Sequence, residues 1–185
     1  MSRRATTRIV GLALSLSAVV ALPSTATAAT CSYGAGWGTP NASEAAQVVS
    51  LVNQHRAGLG LTQLGTASVL ARAAEWKSGH MAARGYFSHE DQGILVDGAP
   101  RTFGARARDC GVPGGTGENI AVGQPTPAAV MQAWINSPGH RANIERPQYR
   151  SIGVGVVRNS SGRINWTQIF STEAGIADEI GRAHV

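Results

Sequence analysis

The sequence predicts an α+β fold, and three observations predict it. Apolar residues recur at helical spacing in three separate segments before residue 140. Two alternating segments near the C-terminal end read as neighbouring strands joined by a short polar link. About 157 residues remain once an N-terminal leader is set aside, one domain's worth with length enough for a core.

The leader comes first. Arg3, Arg4 and Arg8 form a positive region, Ile9–Leu22 is nearly unbroken apolar sequence, and Ala26-Thr27-Ala28 supplies the small-x-small pattern of a signal peptidase site. Residues 1–28 are therefore expected to be a signal peptide, cut after Ala28 or one residue on. The apolar run is too short for a comfortable membrane span, so no integral membrane segment is expected after processing and the protein should be secreted. The full chain carries a formal charge of +5, and 13 basic against 11 acidic residues leave +2 after cleavage. That is too mild for a nucleic-acid binder, and no basic run stands out. Lys77 is the only lysine. Cys31 and Cys110 both survive cleavage, and in an exported protein such a pair is expected to form a disulfide.

Residues 29–44 read as an irregular arm rich in Gly, Pro and Asn. Ser43 is a plausible N-cap for a helix over Ala45–Arg56, with Val48, Leu51 and Val52 on one face and Gly58 and Gly60 ending it. Thr66 or Ser68 starts a second helix through Leu70, Ala73, Ala74, Trp76, Lys77 and Met81, stopping at Gly85. His55 and His80, each alone on a helix, are read as packing residues. From Tyr86 to Pro125 neither period persists and the segment reads as a long loop, unusual unless it serves a site or is pinned down. Pro127 opens a third helix with Val130, Met131 and Trp134 on its apolar side. Ser137 interrupts it, and Pro138-Gly139 reads as a sharp turn presenting His140, a candidate ligand or proton carrier, or simply a residue that packs the turn. Ser151–Arg158 and Arg163–Ser171 are the two strands, linked by Asn159-Ser160-Ser161-Gly162. Gly153 and Gly155 leave room on one face of the first for another backbone or a side chain. Residues 173–185 form a short mixed tail.

Three segments then stand out: Y-F-S-H-E-D at 86–91, G-E-N-I-A at 117–121 and W-I-N-S-P-G-H-R-A-N-I at 134–144, followed by I-G-V-G-V and W-T-Q-I-F. In these the chain resembles the CAP superfamily (cysteine-rich secretory, antigen 5 and pathogenesis-related 1 proteins), and most of all its small exported bacterial, SCP-like members. The resemblance runs from about Gln47 to Thr172, within an expected domain at 45–172. It implies an α-β-α sandwich, a small antiparallel sheet covered by helices on both faces, so a third strand should exist that periodicity does not locate.

The resemblance also implies a central cleft lined by two histidines and two acids. His89 and His140 match the histidines and Glu118 one acid; Ser137 stands where the second acid is usual, and Glu90 or Asp91 is a neighbour able to replace it. His89, Glu118 and His140 are thus candidate metal ligands with Glu90 and Ser137 lining the cleft, and Zn²⁺ suits two imidazoles and a carboxylate. The competing reading is a hydrogen-bonded polar cluster that ties the long loop to the sheet. The expected function is a secreted, non-enzymatic binding module for a small hydrophobic ligand (lipid or sterol) or an envelope component. The alternative is a metal- or histidine-assisted extracellular hydrolase. Serine chemistry has no foothold, since no G-x-S-x-G is present.

Overall fold

The computed structural model describes residues 31–176. The expected signal peptide and cleavage site lie outside them, as does the tail beyond Ile176. In chain order the elements are β1 (Thr39–Pro40), α1 (Ala42–Gly58), β2 (Gly65–Thr66), α2 (Ser68–Arg84), β3 (Asp91–Val96) and β4 (Ala99–Arg101). Then come α3 (Phe103–Asp109), β5 (Thr116–Val122), α4 (Pro127–Asn136), α5 (Pro138–Glu145), β6 (Ser151–Arg158) and β7 (Ile164–Ser171).

The β6–β7 hairpin is the centre of the sheet, antiparallel with Ser151 opposite Ser171 and Arg158 opposite Ile164. β5 pairs antiparallel with the far side of β7. The outer edge of β6 carries two short strands, β2 parallel at Ser151–Ile152 and β1 antiparallel at Val157–Arg158. Alternation along β6 decides the two layers. Ile152, Val154 and Val156 face a core shared with Val48 and Val52 of α1, Val130 and Trp134 of α4, and Ile144 of α5. Gly153 and Gly155 face the other way, onto α2. A Cβ on Gly153 would lie 2.1 Å from the Leu70 carbonyl carbon, and one on Gly155 2.2 Å from that of Ala74. The space those glycines leave is filled by a helix backbone. Ala107 of α3 joins Ala73, Ala74 and Ile169 on this face. Helices therefore cover both faces of a mostly antiparallel sheet, as the resemblance implied.

Three local expectations need correction. The first helix starts at Ala42, because Asn41 rather than Ser43 is its N-cap: the Asn41 carboxamide accepts from the Glu44 N–H at 3.0 Å. Pro138-Gly139 is no turn but the start of α5, with proline in the helix's first turn and Ser137, in extended conformation, ending α4 and preceding α5. His140 thus belongs to a helix. The segment from Tyr86 to Pro125 is no loop either, since it holds β3, β4, α3 and β5. β5 is the third strand. It escapes periodicity because Glu118 and Asn119 are buried in it beside Ile120 and Ala121, so polar residues stand inside.

Cys31 and Cys110 form the expected disulfide across 79 positions, docking the N-terminal arm beside α3. Closing a loop of that length stabilises by roughly 4–5 kcal/mol in the chain-entropy picture. The lone helical histidines pack as read. His55 meets Glu145 of α5 at 2.9 Å, while His80 stacks on Trp76 and meets the Tyr86 hydroxyl at 2.7 Å.

Candidate functional site

β5 places Glu118 and Asn119 side by side in sequence, and strand alternation sends them to opposite faces. On the Asn119 side, the carboxamide donates to the His140 carbonyl at 3.0 Å and to Gln168 Oε1 at 3.0 Å. Asn143 of α5 donates in turn to Asn119 Oδ1 at 2.9 Å and to the Glu118 carbonyl at 3.2 Å. These amides fasten the start of α5, and with it His140, to the sheet. On the other side the Glu118 carboxylate is buried. His89 Nδ1 lies 2.9 Å from its Oε1, and the Arg106 guanidinium from α3 binds its Oε2. With the guanidinium-held carboxylate as acceptor, His89 Nδ1 is the donor, which leaves Nε2 as the basic nitrogen of the neutral ring. The His89 side chain is 52% exposed against 1% for Glu118, so the pair runs from interior to surface.

Behind Glu118 lies an ion network that the sequence reading did not anticipate. Asp91, fully buried at the start of β3, accepts from Lys77 at 2.9 Å, from Arg101 at 2.9 Å and from Arg106. Lys77 also donates to the Tyr86 hydroxyl and to the carbonyls of His89 and Glu90, at 3.0–3.2 Å. Arg106 adds a bond to the His89 carbonyl at 3.2 Å, so two buried cations hold the backbone that presents His89. Arg101 reaches Asp109 at 3.0 Å. Three carboxylates (Asp91, Asp109, Glu118) thus face three cations (Lys77, Arg101, Arg106).

Burial and electrostatics set the proton affinities. Burial pushes the Asp91 carboxyl up, but Arg106, Lys77 and Arg101 outweigh it and hold the group below the usual carboxylate range. Burial, with Arg106 beside it, lowers the Lys77 ammonium to about 8 despite Glu118 and Asp91. The two partners of one ion pair thus shift down for different reasons: at Asp91 three cations outweigh burial, whereas at Lys77 burial, then Arg106, outweighs the carboxylates. Burial, and then the nearness of His89, lowers His140, which is therefore neutral at pH 7.

His89 and Glu118 are thus hydrogen-bonded, and His140 stands within electrostatic reach of His89. Glu90 contributes its carbonyl to Lys77, and its side chain is on the exposed surface. Asp91, considered above as a replacement acid, is fully spent on cations. Ser137 is half-buried between α4 and α5 and supplies backbone bonds to Trp134 and Arg141. As arranged, Glu118 is not placed as a first ligand, since both its oxygens are bonded to His89 and Arg106, and among the described residues no three His, Cys, Asp or Glu side chains are grouped to hold an ion; His89 Nε2 and the His140 imidazole are the nitrogen donors left open. One signal for the network was available. Lys77 follows Leu70, Ala73 and Ala74 on the buried face of α2, where an unpaired ammonium would not be tolerated.

Comparison with known proteins agrees with this architecture. The pattern described as the cysteine-rich secretory protein family, CAP, matches residues 49–170. The uncharacterized protein YkwD of Bacillus subtilis is 41% identical over 128 residues, covering 67% of this chain and 45% of that protein. The uncharacterized membrane protein YlbC of the same organism is 32% identical over 114 residues, 60% of this chain and 31% of the relative. The chain therefore spans less than half the length of these curated relatives. Among solved structures, an SCP-domain extracellular protein from Bacillus anthracis superposes with a TM-score of 0.62 at 30% identity, over 70% of this chain and 40% of that one. An outer surface protein of Borrelia burgdorferi shares the fold, with a TM-score of 0.61 at 20% identity over 72% and 96% of the two chains. These solved relatives are extracellular or surface proteins, and among the described residues no helix is long and apolar enough to cross a membrane. With its family pattern across the helices and sheet that frame His89, Glu118 and His140, the chain belongs to the cysteine-rich secretory protein (CAP) family.

Proposed function

We propose that the protein is a secreted binding module that holds a small ligand, a lipid, sterol or envelope component, at the cleft between His89 and His140 without turning it over. The observation that supports this reading is the saturation of Glu118 by Arg106 and His89. A carboxylate with both oxygens engaged orients its neighbours and is not free to activate a water. Two imidazoles held by buried ion and amide networks form a preorganised rim that loses little freedom when a ligand arrives. Mass spectrometry of small molecules co-purifying with the secreted protein tests the reading. A bound species should be recovered from the wild type and lost from the His89→Ala, His140→Ala double variant. Recovery of the same species from both would overturn it.

One observation favours the hydrolase reading. The Glu118–His89 bond fixes the ring with Nε2 basic, the arrangement a general base needs. Ester or amide turnover by the secreted protein, abolished in His89→Gln, would decide for that reading.

A further inference from the structure

On the opposite edge of the sheet lies a groove of about 380 Å³ between the N-terminal halves of α1 and α2. Its floor is β6, from Ile152 to Val156, and its walls include Ala42, Ala45, Ala46 and Val49 of α1 and Ala71 of α2. It exists because β1 and β2 cover only the two ends of this edge. The Arg150, Ile152 and Val156 carbonyls accept from Gly65, Ala67 and Asn41 along the edge. By the two-residue period of a strand, the N–H and C=O of Val154 point the same way. No strand among the described residues covers them.

The one charged side chain in the lining is Glu75 of α2. No lysine, arginine or histidine lines the groove, and among the described residues Glu75 has no ion pair or hydrogen bond. The lining also holds the polar Asn41, Thr66 and Ser68, and the Tyr33 phenol lies in electrostatic reach of Glu75, but none of these supplies a positive charge; a half-buried carboxylate is costly when ionised, and burial raises its pKa accordingly. A fatty acid would bring a second negative charge to that carboxylate. An ammonium would supply its missing partner, with the Val154 carbonyl as a further acceptor.

We propose that this groove is a second binding site, separate from the His89–His140 cleft, and that it takes an amphiphilic organic cation. The apolar body lies on Ala45, Val49, Ala71 and Val154, and the ammonium pairs with Glu75. Three probes of one chain length and different head charge test it: hexylammonium, hexanol and hexanoate, titrated by calorimetry at pH 7.5 into the folded secreted protein. Hexylammonium should bind up to about fivefold more tightly than hexanol, with hexanoate weakest, as a half-exposed ion pair dictates. Glu75→Gln should bring hexylammonium down to the level of hexanol. Ala46→Phe, which fills the groove from its exposed rim, should weaken all three. Thermal unfolding of each variant reports whether it is folded. His140→Ala should leave hexylammonium binding unchanged, so the groove stands or falls independently of the cleft. Preference for hexanoate, a preference for ammonium that survives in Glu75→Gln, or no binding by the folded wild type would each overturn the proposal.

Discussion

Asp91 and Glu118, beside β5, are buried among three cations and every carboxylate oxygen has a partner. Glu75, beside the far edge of β6, lies in an apolar groove with no cation in its lining. Both regions form where the helices leave an edge of the same sheet. They differ in what the intervening chain supplies: β3, β4 and α3 bring Asp91, Arg101 and Arg106 to one edge, while only two-residue strands reach the other. A buried charge whose partners come from the same chain becomes part of the scaffold. One left without a partner stays available to a ligand.

The largest expected contrast is in stability. Asp91→Ala leaves Lys77, Arg101 and Arg106 without their shared acceptor and should cost about 3–5 kcal/mol in urea denaturation. Glu75→Ala, with no partner to strand, should change stability by about 0.5 kcal/mol or less. Equal costs would erase the distinction between the two regions.

Acidification should separate them by sign. His80, sealed against Trp76 and Tyr86 with its Nε2 buried and unpartnered, has its pKa lowered by burial from 6.5 to about 4. A folded pKa below the unfolded one means that the stabilisation is present above pH 6.5. It is lost as pH falls toward 4, by up to roughly 3 kcal/mol. Glu75 is shifted upward, so its contribution is full at low pH and lost as pH rises through its folded value. Denaturation curves across pH 4–7 should therefore show a loss on acidification that His80→Gln reduces and Glu75→Gln does not. A loss untouched by His80→Gln would break this assignment.

The smallest expected effect is none at all. Because both Glu118 oxygens are held by His89 and Arg106, calorimetry with Zn²⁺ should give no site-specific heat. Heat in the wild type that vanishes in His140→Ala would restore the metal reading.

Several of these residues could be read before the fold was known. The motifs around His89, Glu118 and His140 carried the family resemblance because each sits in a short, unusual string of residues, and the structure bonds His89 to Glu118 with His140 in electrostatic reach of His89. Gly153 and Gly155 announced a close approach by a neighbour because no other residue leaves that space, and the structure fills it with helix backbone. The network behind them left one local signal, Lys77 on the buried face of α2. Asp91 reads as a stand-in acid for the cleft and Arg106 as a charge in a glycine-rich stretch, and nothing local says that α3 will bring Arg106 to Asp91 and Glu118.

The chain by itself determined what local physics can encode: helices from apolar spacing and caps, the β6–β7 hairpin from alternation around a polar link, and a disulfide from the only two cysteines in the sequence. The tertiary structure decided which charges are buried and with whom. β5 became a strand only because β7 offered its edge, and its polar residues are inside only because Arg106, His89, Asn143 and Gln168 meet them there. Pro138-Gly139, a turn by composition, became a helix start because α5 packs against β5, with the Asn119 carboxamide bonded to the His140 carbonyl. Hydrogen bonds and ion pairs of this kind join residues distant in sequence, so their energy enters only once the chain has closed around them.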